Sequence, residues 1–175
     1  MSDDSATGGL AEQKGAAATP SLGRALLLGT LVVGTLEIVF AILFYGSRGA
    51  SPGRIFQSIA SGLLGRAAYD GGMPAVALGA LLQYFISFGI VATYALVSRR
   101  IETLRRNAVL LGPIYGIAVY YAMTRVVVPL SAAVVGKPAH GVVLLAGLLA
   151  HMFLIGLPAA LTARFAMPPS RDAVS

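Results

Sequence analysis

Residues 25 to 45 read ALLLGTLVVGTLEIVFAILFY, an unbroken apolar run of 21 residues whose only charged side chain is Glu37. A bilayer's hydrocarbon core needs about 20 apolar residues of α-helix to cross it. The run lacks the period-two alternation of a barrel strand, and in lipid every backbone N–H and C=O must find a partner inside the protein. This spacing predicts a membrane-spanning helix. Three further runs of the same kind follow, at about 74–97, 107–130 and 141–163.

The composition agrees. The chain has 175 residues, of which 57% are hydrophobic and only 11% charged, outside the usual range for a soluble domain. The expected fold class is an all-α membrane protein, with four transmembrane helices in an antiparallel bundle. Thirteen Lys and Arg stand against seven Asp and Glu, and the positive residues cluster at the ends of the apolar runs. That placement points to membrane topology and a lipid bilayer rather than to a nucleic-acid partner.

Orientation follows from the same residues. With four spans, both termini and the loop SRRIETLRR at 98–106 share one side, which carries Lys14, Arg24, Arg99, Arg100, Arg105, Arg106, Arg164 and Arg171. The other side carries Arg48, Arg54, Arg66 and Lys137. Positive residues concentrate on the cytoplasmic face, so both termini are expected in the cytoplasm and the protein in a cell's inner (plasma) membrane. Residues 1–23, rich in Ala, Gly and Ser, read as a disordered cytoplasmic tail, and 164–175 as a second cytoplasmic tail. The leader is acidic and the following run long, which argues against a cleaved signal peptide.

The connection at 46–73 is too apolar for a solvated loop. Ser51 followed by Pro52 is a helix-start signal, and Ile55, Phe56, Ile59, Leu63 and Leu64 recur at helical spacing. A short, non-spanning helix is expected at about 53–65, between the first and second spans. Pro129 cannot donate to the carbonyl of Arg125, so the third span should end or bend there.

The informative residues are the costly ones. Glu37, Arg125 and His151 lie within spans, where an ionisable group costs roughly 2.5–3.5 kcal/mol on insertion scales. At about 1.5 Å of rise per residue, Arg125 is expected roughly 8 Å, Glu37 about 12 Å, Gln83 about 13 Å and His151 about 15 Å below the outer membrane surface. They form one layer. Small and polar residues on each helix stack with them, Ala118, Tyr121 and Arg125 on the third span and Gly147 and His151 on the fourth. The candidate binding residues are therefore Glu37, Gln83, Arg125, His151 and Tyr121, with a Glu37–Arg125 pair as the expected first contact.

Several chemistries are excluded or disfavoured. There is no cysteine, hence no disulfide and no thiolate metal site. His140 and His151 lie on one helix, about 16 Å apart by rise, which rules out a shared metal and disfavours a bis-histidyl haem. No GxSxG or GxxxxGK motif is present. No cofactor, metal site or catalytic residue is expected. Gly112 and Gly116 form a GxxxG for close helix packing, within the chain or between protomers of a homo-oligomer.

The segments QSIASGLLG at 57–65, Gly71–Gly72, Gly112 to Gly116 and Pro129–Leu130–Ser131 resemble a group of uncharacterised bacterial inner-membrane proteins with four helices. The resemblance covers about 25–163 and implies architecture, with no established activity to carry over. Members of that group often have a histidine near the position of Gln83, from which this chain departs. Two functions stay open: binding or transport of a small solute or ion through the polar layer, and a non-transporting structural or accessory role in a membrane complex, with the 53–65 helix docking a partner.

Overall fold

The structure, a computed structural model, describes residues 21–134 and 139–168. Most of the disordered tail expected at 1–23 (residues 1–20), and 169–175 of the second, fall outside these residues, whereas Leu22, Gly23 and residues 164–166 are helical rather than tail. The described residues are helical, with no strand among them. Four of the helices are long and apolar enough to cross a membrane: α1 (Leu22–Gly46), α3 (Gly72–Arg100), α4 (Ala108–Leu130) and α5 (Gly141–Ala166). Between the first two lies α2 (Pro52–Leu64).

The start of α2 follows the sequence signal. Ser51 is its N-cap, with the side chain accepting a hydrogen bond from the Arg54 N–H at 3.3 Å, and Pro52 occupies the first turn, where a missing N–H is harmless. Gly65, at φ +59°, closes the helix in a conformation that side-chain-bearing residues rarely adopt. α2 does not merely rest on the surface. It crosses α3 so closely that a Cβ on Gly79 would collide with the Phe56 carbonyl. Its far end is tied to the segment after α4 by a hydrogen bond from the Ala132 N–H to the Gly62 carbonyl at 3.0 Å. α2 thus bridges α3 and the end of α4 across one end of the bundle.

At the other end, hereafter the link end, a one-turn helix at Glu102–Arg106 joins α3 to α4. It is fixed by the Tyr94 hydroxyl donating to the Leu104 carbonyl (2.9 Å) and by Arg105 Nη1 donating to the Ser98 carbonyl (2.8 Å). The core occupies this end. Val33, Val91, Tyr94, Ala95, Ala108, Ile155, Ala159, Ala160 and Ala163 pack together, and the small residues let the helix backbones approach.

α4 and α5 also pack backbone to backbone. A Cβ on Gly116 would overlap the His151 carbonyl, and one on Gly156 would overlap the Gly112 carbonyl. Both helices are interrupted by π-helical turns, at Met123–Val127 in α4 and His151–Gly156 in α5. Each turn lies just before a proline, Pro129 or Pro158, whose ring nitrogen cannot donate to the carbonyl four residues back. The wider turn accommodates that lost bond. α4 ends one residue after Pro129, as its position in the sequence predicts.

A Gly116→Leu substitution should lower stability by about 1–3 kcal/mol or more, because backbone rather than a movable side chain stands in the way. Gly89→Leu, where a Cβ meets nothing within 4 Å, should not. Circular-dichroism melts in detergent compare the two; equal melting temperatures would contradict the close approach of α4 to α5.

Candidate functional site

The end of the bundle that carries α2 is hollow. A cavity of about 540 Å³ is lined by α1, α2, α3, α4 and α5 together, and a second of about 350 Å³ lies between α1, α2 and the Gly65–Tyr69 turn. Both are lined by Glu37, Ala41, Tyr45, Ser58, Ile59 and Gln83. Glu37 therefore stands where the two cavities meet. Towards the link end the space is closed by Val33, Val91 and Ile155, each with no exposed surface.

α1 delivers Glu37 on the face that also carries Gly34, Ile38 and Ala41, and α3 meets it there because Gly34 has no side chain. A Cβ on Gly34 would crowd the Tyr84 ring. In the space this leaves, Gln83 donates its amide Nε2 to Glu37 Oε2 at 2.9 Å, with a longer contact of 3.3 Å to the Gly34 carbonyl. Gln83 is buried while Glu37 keeps partial exposure to the cavities. Net, a hydrogen bond to a charged group stabilises by roughly 1.5–3 kcal/mol. The backbone carbonyl of Gln83 accepts from the buried Ser87 hydroxyl at 2.8 Å, a bond within α3.

His151 enters the larger cavity from the first residue of the π turn in α5. Its Nδ1 lies 2.9 Å from the Gly147 carbonyl. A carbonyl can only accept, so Nδ1 carries the proton and Nε2 is left as the acceptor of the neutral ring. The Tyr120 ring stands edge-on to the imidazole, 5.1 Å between centroids at 88°, and holds it in place. Glu37 lines the same cavity as this imidazole.

Three of the five residues singled out from the sequence, Glu37, Gln83 and His151, are thus gathered on one cavity wall. Arg125 and Tyr121 are not. Both are exposed and neither lines these two cavities, so the expected Glu37–Arg125 contact does not form, and Gln83 is the partner of Glu37 instead. The inward face of α4 is fixed by Gly112 and Gly116 packing on α5, and in that register Tyr120 points inward while Tyr121 and Arg125 point away. The GxxxG pattern extended by one turn names Tyr120. Tyr45, eight residues after Glu37 and so on the same helical face, was likewise available from spacing. Ser58 depends on how α2 folds back and had no such signal.

Among the described residues, no group of three or more His, Asp and Glu side chains is placed to hold a metal. Comparison with protein-family models, with curated proteins and with solved structures finds no match.

Nitrogen-15 NMR of histidine-labelled protein tests the imidazole geometry, with His140→Gln used to assign the signals. His151 should show the Nδ1–H tautomer when neutral, and Tyr120→Leu should shift its resonances far more than Tyr121→Leu. An Nε2–H tautomer would contradict the bond to Gly147.

Proposed function

We propose that this chain is a multi-pass inner-membrane protein whose one-sided polar cleft binds a small solute or ion and carries it with proton coupling. The four long helices span the bilayer as an antiparallel bundle. Both termini are cytoplasmic, by the concentration of Arg99, Arg100, Arg105 and Arg106 at the link end. The cleft then lies in the outer half of the membrane. The observation that carries this reading is Glu37 itself. A carboxylate within a span is costly, and this one is reached by two cavities rather than sealed in packing.

Glu37 is the protonatable group, and Gln83 orients its carboxylate by donating to one oxygen. His151 Nε2, with Nδ1 committed to Gly147, is the adjoining proton acceptor. The closed packing of Val33, Val91 and Ile155 makes this an outward-open arrangement, and passage requires those contacts to part. The π turns beside Pro129 and Pro158 are the points where α4 and α5 bend most easily.

An accessory role has one observation in its favour. The Gln83–Glu37 hydrogen bond also serves as a fixed strut between α1 and α3. Proton flux separates the two readings. In vesicles containing the reconstituted protein and an internal pH dye, an imposed proton gradient should dissipate faster than in empty vesicles. Glu37→Gln, which keeps the shape of the side chain, should remove at least nine-tenths of that excess while the protein still folds. Unchanged flux in the variant would rule out the coupled-transport reading.

A further inference from the structure

The larger cavity has a side opening as well as a floor. α3 and α4 meet at the level where the Tyr115 hydroxyl donates to the Ile90 carbonyl (2.8 Å) and the Tyr94 and Tyr115 rings stand edge to face, 5.0 Å apart. Towards the α2 end they diverge. α3 is drawn to α2 at Gly79 and α4 to α5 at Gly112 and Gly116. Between them a window remains, roofed by α2. Leu63, Phe85 and Val127, from α2, α3 and α4, line the cavity and are also exposed on the outside of the bundle, Phe85 to 71%. In a bilayer this apolar rim faces acyl chains rather than water.

Among the described residues, the formally charged side chains on the cavity wall are acidic. Among the described residues that line it, Glu37 is the only acidic one and none is Lys or Arg. Arg54 belongs to the smaller cavity, where its guanidinium is held over the Tyr69 ring at 4.4 Å. Gln83 takes one oxygen of Glu37, leaving acceptor capacity on the carboxylate. Phe40, Tyr45, Phe85 and Tyr120 supply aromatic surface around it. Among the described residues, an anion would find no Lys or Arg there, and a neutral His151 offers it no charge. A small metal ion, which needs several oxygen ligands to replace its water, would find a single carboxylate. A bulky, weakly hydrated cation needs only one opposite charge and aromatic walls.

Resting on the reading of the cleft as a binding site, we infer that its ligand is an amphiphilic organic monocation that enters from the bilayer through the α3–α4 window. Its charged centre pairs with Glu37, and its apolar body fills the space between Phe40, Phe85 and Tyr120.

Tetraphenylphosphonium and tetraphenylborate have the same shape and opposite charge, and together they test this directly. Binding of each radiolabelled ion to the full chain in detergent is measured against protein-free micelles. The cation should bind saturably at one per chain, with affinity at least tenfold lower in Glu37→Gln and several-fold lower in Phe85→Ala, an exposed site whose truncation leaves packing intact. The borate should bind at least tenfold more weakly than the phosphonium. Equal binding of the two ions, or cation binding unchanged in both variants, overturns the inference. Glu37-dependent proton flux without saturable phosphonium binding overturns this ligand class and leaves the cleft reading standing. Absence of both removes the cleft reading as well.

Discussion

The architecture depends on two close backbone contacts that only glycine permits. Gly112 and Gly116 bring α4 against Gly156 and the His151 carbonyl of α5, while Gly79 brings α3 against the Phe56 backbone of α2. Close packing of small residues lets helix backbones approach and hold to one another. Because α3 and α4 are each committed to a different partner, the larger cavity lies between them at the α2 end, while the Tyr94–Tyr115 pair and the Tyr115–Ile90 hydrogen bond join them nearer the link end. The hollow is the geometric result. Alanines at the link end pack without such competition, and there the bundle is solid.

A second constraint places polar groups at the hollow. Glu37 and His151 both lie on faces turned towards it, where the cost of an ionisable group in an apolar medium is reduced by partners and by access to the cavity. The carboxylate is met by the Gln83 amide and the imidazole by the Gly147 carbonyl, so each polar side chain is oriented by one bond and retains one free site. That half-satisfied state distinguishes this cluster from the fully internal hydrogen bonds of Thr30, Ser98 and Thr162, whose hydroxyls donate back to their own helices.

Much of the fold was legible because its causes are local. Apolar length defines α1, α3, α4 and α5 to within three residues at each end, and Ser51–Pro52 marks the start of α2. Glu37, Gln83 and His151 were legible because polar side chains in apolar runs are few. Arg125 and Tyr121 were misplaced for a physical reason. Tyr121 and Arg125 share a face of α4 roughly opposite, about 160° from, the one that the glycines hold against α5. An arginine on the outside of a helix near its end can instead extend its guanidinium towards the interface. The role of α2 as a roof could not be read from its amphipathic pattern, since it depends on where Gly62 and Gly79 find their neighbours.

Glu37 sits in a hollow at the α2 end of the bundle that is shut towards the link end. The chain has no cysteine, so a single Ala41→Cys, on the wall shared by both cavities beside Glu37, provides a reporter without background. The most direct measurement is modification of that thiol by a membrane-impermeant methanethiosulfonate, applied separately to each face of sealed vesicles of known orientation. Rapid modification from the α2 face and none from the face carrying Arg99 and Arg100 is the expected result. Modification from the Arg99 face, from both faces, or from neither would contradict it.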